Sequence, residues 1–202
     1  MEIKDTYLSI AERSRGLYKS MGSRFIAFAV PVETEGQIRD CLQALRREYH
    51  DARHICVAWR LGHDGARWRA SDDGEPSGSA GRQILGRIDA AGLSDVMVAV
   101  VRYFGGVKLG IPGLIEAYRS AAADALSAVP KCEKIAALPY RLHFGYAEMP
   151  AVMKLLKDMD LKQMNPSFEA DCRLDTAVRL ARVEAFEQAA SSIEGLDWEK
   201  RV

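Results

Sequence analysis

The sequence predicts an α+β protein in two parts, and three observations carry that expectation. Strand-like runs alternate with amphipathic helical stretches along the whole chain. The pattern breaks at Pro130-Lys131-Cys132-Glu133-Lys134. Beyond the break the segments run β-α-β-β-α, and a return at 196–200 makes the order that of a ferredoxin-like unit. Domains are therefore expected at residues 1–130 and 135–202, joined by a short linker. The 202 residues, 48% hydrophobic and 28% charged, are enough for two cores and exclude disorder as a whole-chain description.

In the first part, residues 24–32 read as a largely buried strand closed by Pro31. Thr34 and Gln37 stand in capping-box spacing, and Ile38, Cys41, Leu42, Leu45 and Tyr49 follow at helical intervals, so 35–49 is expected to be a helix. Residues 55–61 alternate as a strand, and 66–70 return as a hairpin partner. A Ser/Gly stretch at 77–81 leads into a helix with Ile84, Leu85 and Ile88 on one face, stopped near Gly92. The run 96–104 is the most strand-like in the chain and passes straight into Gly105-Gly106. A long helix follows Pro112, with Leu114, Tyr118, Ala121, Ala125 and Val129 in register.

In the second part, Leu138, Tyr140, Leu142 and Phe144 alternate as a half-buried strand. A helix from Pro150 carries Val152, Leu155, Leu156 and Met159. One strand is expected to hold Phe168, Ala170, Cys172 and Leu174, another to span 177–183. A helix with Phe186, Ala189, Ala190 and Ile193 precedes an edge strand at 196–200. So thin a core is expected to need docking against the first part.

Charge and cysteine usage narrow the function. The chain has 28 basic and 28 acidic residues, divided 17 to 16 before residue 130 and 11 to 12 after it. A nucleic-acid surface would thus be a local patch rather than a global field. Cys41, Cys56, Cys132 and Cys172 form no C-x-x-C pair, so zinc ribbons and thioredoxin chemistry lack their spacing, and reduced thiols are expected. No signal-like start and no spanning apolar run is present, which makes a cytoplasmic location the expectation.

Two polar clusters stand out. Ser71-Asp72-Asp73-Gly74-Glu75 puts three carboxylates within four positions. The acids are adjacent rather than alternate, so they miss the calcium-loop pattern. They suit either a recognition loop or a turn before a helix, with Ser77 or Ser79 as its cap. Neighbouring carboxylates point apart, so at least one is expected to be engaged by backbone N–H groups or by Arg82 or Arg102 rather than by a metal. The second cluster, Arg102 to Gly113, is a strand, a glycine-rich loop and a helix start, where free N–H groups, Arg102 and Lys108 would suit an anion. It lacks both G-x-G-x-x-G and the Gly-Lys-Ser/Thr end of a P-loop. The same glycines also suit tight turns and close packing alone. Neither a G-x-S-x-G elbow nor a zinc-enzyme histidine context occurs, and His54 reads as a strand-end residue.

S-D-D-G-E-P-S-G-S-A-G at 71–81 and V-R-Y-F-G-G-V-K-L-G at 101–110 together resemble the signature of the IMPACT (YigZ-like) family. S-R-F-I-A-F-A-V-P-V at 23–32 and D-A-R-H at 51–54 are similar to that family's opening segments, in the same order. The resemblance covers about residues 15–130. It implies a ribosomal-protein-S5 domain 2-like fold for the first domain and a ferredoxin-like second domain, folds shared with the ribosome-binding end of elongation factors. Eukaryotic relatives regulate translation through protein partners. The sequence departs from the family at Ile111-Pro112, where Thr-Gly is common, and at Glu116, where a basic residue is common.

The expectation is a non-enzymatic binding protein contacting RNA, the ribosome or a translation factor, with no membrane role and no DNA sequence recognition. Its candidate ligand- or partner-binding residues are His54, Ser71, Asp72, Asp73, Glu75, Arg102, Tyr103 and Lys108. The two clusters are expected to meet on one face. No catalytic residue, cofactor or resident metal is assigned. The alternative is a small-molecule enzyme taking a phosphorylated substrate between the acidic and glycine-rich loops.

Overall fold

The structure, a computed structural model, describes residues 5–169 and 171–201. The chain divides into two compact units, Tyr7–Lys134 and a second that joins the segment through Thr6 to Ile135 and beyond.

The first unit begins with β1 (Thr6–Ile10), β2 (Ser14–Ser20), β3 (Ser23–Pro31) and α1 (Glu35–Glu48), followed by β4 (His54–Leu61) and β5 (Arg67–Ser71). It continues with α2 (Gly81–Ala90), β6 (Val96–Tyr103), α3 (Gly110–Ser127) and β7 (Lys131–Ile135). Five strands form a sheet in the order β2-β3-β6-β4-β5, and β1 pairs with β7. Alternate residues of the central strands face opposite cores. Phe25, Ala27, Cys56, Ala58, Val98 and Val100 pack with α2 and α3, while Ile26, Phe28, Ile55, Val57, Ala99 and Val101 belong to the α1 core. Burial on both faces is why 24–32 and 96–103 read as continuous apolar runs rather than alternating ones. The capping box at α1 is present: Thr34 Oγ1 accepts from the Gln37 N–H at 3.2 Å, and Gln37 Oε1 accepts from the Thr34 N–H at 3.3 Å.

Three strands depart from the sequence expectation. β1 and β2 precede the first expected element, and β7 occupies the stretch expected to be a break. β2 is an edge strand whose fit comes from α3: Ser14 Oγ donates to the Ala125 carbonyl at 2.6 Å, and the Leu17 N–H donates to Asp124 at 2.8 Å. Gly16 allows that approach, since a Cβ there would lie 2.3 Å from the Ala125 nitrogen. β2 forms a hairpin with β3 through Met21-Gly22, both at positive φ, but its half-exposed, mixed sequence carries little apolar alternation to mark it as a strand.

The second unit contains β8 (Ala137–Phe144), α4 (Met149–Asp158), β9 (Met164–Phe168), β10 (Cys172–Arg179), α5 (Val183–Ser191) and β11 (Asp197–Lys200). Its antiparallel sheet has the order β11-β8-β10-β9, so the βαββαβ chain adopts the ferredoxin-like arrangement. Tyr140, Leu142, Phe144, Cys172, Leu174 and Val178 share one core with Val152, Leu156 and Phe186. The opposite face carries polar pairs, among them the two-bond contact of Arg141 with Asp175 at 2.7 and 3.0 Å.

The expected strands at 168–174 and 177–183 are redrawn. The buried alternation of Cys172, Leu174, Thr176 and Val178 belongs to one strand, while a 3-10 turn at Leu180–Arg182 replaces the end of the second. Ala170 lies outside the described residues. Asp5 belongs to this unit: Arg179 donates twice to its carboxylate, both at 2.9 Å, and the Ala136 N–H donates to its carbonyl at 2.7 Å.

Candidate functional site

The acidic loop connects β5 to α2, and each of its carboxylates is engaged differently. Asp72 accepts the backbone N–H groups of Gly78, Ala80 and Gly81 at 2.8, 3.0 and 2.8 Å. It therefore satisfies the start of α2, where backbone donors have no intrahelical partner and a negative charge is favoured. Neither expected serine serves as that cap. Ser79 Oγ turns back to the Pro76 carbonyl at 2.6 Å, and the residue before the helix, Ala80, has no side-chain bond.

Asp73, at φ +43°, accepts from the Ile55 N–H at 2.7 Å and from Arg46 at 2.9 Å. Its carbonyl lies 2.8 Å from His54 Nδ1, so that nitrogen carries the hydrogen of the bond. Ser71 Oγ faces the Asp73 N–H at 3.4 Å. These bonds hold the loop against the start of β4. Of the expected partners, backbone N–H groups engage both aspartates, and the arginine on Asp73 is Arg46, on α1, rather than Arg82 or Arg102.

Glu75 is the buried acid. Arg102 Nη1 donates to both of its oxygens, at 2.7 and 2.9 Å, and the Tyr118 hydroxyl donates to it at 2.7 Å. Cys56 Sγ lies 3.3 Å from the Tyr118 oxygen and 3.0 Å from the Asp72 carbonyl. Burial raises the Tyr118 hydroxyl far above the ordinary tyrosine range and pushes the Cys56 thiol up to about 12. Both groups stay protonated, and the network is a structural clamp between β4, β6, α3 and the acidic loop. Arg102 Nε is buried without a hydrogen-bond partner among the described residues. The guanidinium carbon also contacts two aromatic rings, 5.5 Å from the Phe25 centroid and 5.8 Å from that of Phe104.

Above this clamp lies a groove of about 660 Å³ lined by Asp51, Arg53, His54, Arg102, Tyr103, Phe104 and Lys108. Antiparallel pairing of β4 with β6 sets His54 opposite Arg102. The loop after β6 brings in Phe104 and Lys108. That loop depends on Gly105, where a Cβ would lie 2.0 Å from the Gly22 carbonyl carbon. Tyr103 donates to Asp51 at 2.7 Å, and this bond holds the Asp51 carboxyl below its usual range. Arg53 and Lys108 are exposed and have no ion-pair partner among the described residues. The groove is therefore locally basic in a chain of zero net charge, and it has an exposed aromatic ring at its edge.

Of the eight residues singled out in the sequence, His54, Arg102, Tyr103 and Lys108 line the groove. Ser71, at the end of β5, and Asp72, Asp73 and Glu75, in the loop after it, support the groove. The two clusters do share one face, through the bond of Glu75 to Arg102. Sequence reasoning left out Arg53, Phe104 and Tyr118. Tyr118 had one signal, a polar-tipped ring on an otherwise alanine-rich buried helix face. Among the described residues no group of three or more His, Cys, Asp or Glu side chains is arranged to hold a metal ion.

Fold and groove together define a two-unit α+β protein with a basic, aromatic-edged groove on its first unit. The model of the Impact N-terminal domain matches residues 21–126, the segment that builds this groove and the acidic loop, and the chain belongs to the IMPACT family. It is 34% identical over 166 residues to the IMPACT family member YigZ of Escherichia coli strain K12, covering 81% of each chain. It is 42% identical over 140 residues to an IMPACT family member of Thermus thermophilus, covering 69% of this chain and 75% of that one. A crystal structure of a hypothetical protein is similar throughout, with a TM-score of 0.75, 30% identity and 99% of both chains covered.

Proposed function

We propose that this protein is a cytoplasmic, non-enzymatic binding protein of the translation apparatus, and that its groove contacts RNA, the ribosome or a translation-associated protein. The observation that carries this reading is the pairing of two cations without ion-pair partners among the described residues, Arg53 and Lys108, which outnumber the one groove carboxylate, Asp51, with exposed aromatic surface at Phe104. Phosphate-rich partners are attracted by such cations, and rings supply contact area that does not depend on base identity. Of the acid–base side chains nearby, Glu75 is buried and bonded to Arg102 and Tyr118, and His54 on the groove wall has its Nδ1 bonded to the Asp73 carbonyl. That arrangement supports binding over turnover. Family membership supports a place in translation.

Co-sedimentation of the purified full chain with ribosomes, across a salt series, tests the proposal. The expected result is association at low salt that falls steeply as salt rises and is weakened in Arg53→Ala/Lys108→Ala. No association at any salt, together with salt-insensitive binding of a small phosphorylated compound, would overturn it in favour of the enzyme alternative.

A further inference from the structure

We infer that the groove takes a single-stranded RNA segment, with one base stacked on Phe104 and the adjoining phosphates held by Arg53 and Lys108. This rests on the RNA reading proposed above and narrows it.

Phe104 is a large apolar residue that is 56% exposed at the edge of a charged groove. It is not loosely placed. Its ring lies against the Arg102 guanidinium, which Glu75 holds from one side and the Phe25 ring from another. Arg102 sits beside its cross-strand partner Phe25 and next to Phe104 two residues on, so the exposed ring is braced by a buried, ion-paired side chain. A nucleobase stacks on the open surface of that ring, because every base has a π face and stacking on aromatic planes is how unpaired bases are held.

The cations match the other half of a nucleotide. Arg102 is neutralised by Glu75, so the charge available to a phosphate comes from Arg53 and Lys108, offset in part by Asp51, whose carboxylate is engaged by the Tyr103 hydroxyl. The groove volume of about 660 Å³ lies within the range of small-ligand pockets and suits a short strand with its bases splayed out. A duplex keeps its bases stacked on one another and would leave Phe104 unused. An acidic peptide would satisfy the cations but would leave the exposed Phe104 ring without a planar partner.

The test is fluorescence anisotropy of a labelled single-stranded oligoribonucleotide of about eight nucleotides with the full chain, as a function of salt. Phe104→Ala is expected to weaken binding about tenfold or more with an unchanged salt slope, and Phe104→Tyr to retain it. Arg53→Ala/Lys108→Ala is expected to flatten the salt slope by about one unit. Wild-type affinity in Phe104→Ala, or equal affinity for a duplex of the same length, overturns the inference. So does displacement of the oligonucleotide by a poly-glutamate peptide at matched charge. If ribosome association persists while Phe104→Ala binds normally, the single-strand inference falls and the broader reading stands. If neither ribosomes nor the oligonucleotide bind, both fall.

Discussion

Arg102 and Glu75 form the most buried ion pair among the described residues, with side chains 10% and 3% exposed and both carboxylate oxygens accepting from one guanidinium nitrogen. The pair ties β6 to the acidic loop across 27 positions of sequence. Arg102 also contacts the Phe104 ring, which links a core interaction to the surface proposed to bind.

Glu75→Gln is expected to destabilise the first unit by about 3–5 kcal/mol, because it leaves the Arg102 charge buried without its partner. The double variant Glu75→Gln/Arg102→Met should recover much of that loss, since no uncompensated charge remains. Hydrogen exchange of β6 amides reads this unit separately from the second. A cost near zero for the single variant would show that the pair is not what holds the loop.

Asp72 and Asp73 are adjacent but should respond differently. Asp72→Ala removes the acceptor for three N–H groups at the start of α2 and is expected to cost about 1–2 kcal/mol. Asp73→Asn should cost about 1 kcal/mol or less. Asparagine tolerates the left-handed backbone and can still accept from Ile55, and the lost Arg46 pair is largely exposed on the arginine side. Denaturant melts give both values. Because the carboxylates are already bonded to protein donors, calorimetric titration with magnesium should show no micromolar site. Micromolar affinity lost in Asp73→Asn would revive the enzyme alternative.

Fragment boundaries offer another test. We propose that the first unit folds alone, and residues 7–134 should melt higher than residues 1–130, because the latter lacks β7, the partner of β1. A fragment of 135–202 lacks Asp5, which takes two bonds from Arg179. It should melt below the same fragment with a peptide covering residues 1–6 fused to it. Thermal melts of the four fragments decide both points, and no difference within either pair would contradict them.

Acid should weaken the second unit through Asp175. Hydrogen bonds from Arg141, then from Asn165, hold its carboxyl down at about 2, below the value of 3.8 expected without them. The folded form therefore binds that proton less readily than the unfolded form. The resulting stabilisation is fully present above about pH 4 and is lost as the pH falls toward about 2. Unfolding followed by Trp198 fluorescence, in a variant lacking Trp59 and Trp68, should show this slope, and Asp175→Asn should flatten it. An unchanged slope would mean that the pair contributes nothing to stability.

Much of the fold was legible in sequence because the signals act over a few residues. The Thr34–Gln37 capping box, the apolar runs of β3 and β6, and the βαββαβ order after residue 137 each follow from local spacing and periodicity. The presence of two polar clusters at loop-to-helix junctions was legible for the same reason. What only the tertiary structure decided is which groups meet. β1 and β7 are short strands that pair with each other from opposite ends of the first unit, and β2, a hairpin partner of the adjacent β3, takes its place from packing against the distant α3. The cap of α2 comes from Asp72, eight residues before Ala80, rather than from the nearer serines. The groove exists because the register of β4 on β6 sets His54 opposite Arg102, while Glu75 neutralises that arginine and leaves Arg53 and Lys108 as its available charge. Pairing across strands depends on register and packing summed over the whole unit, and no local stretch of sequence carries that information.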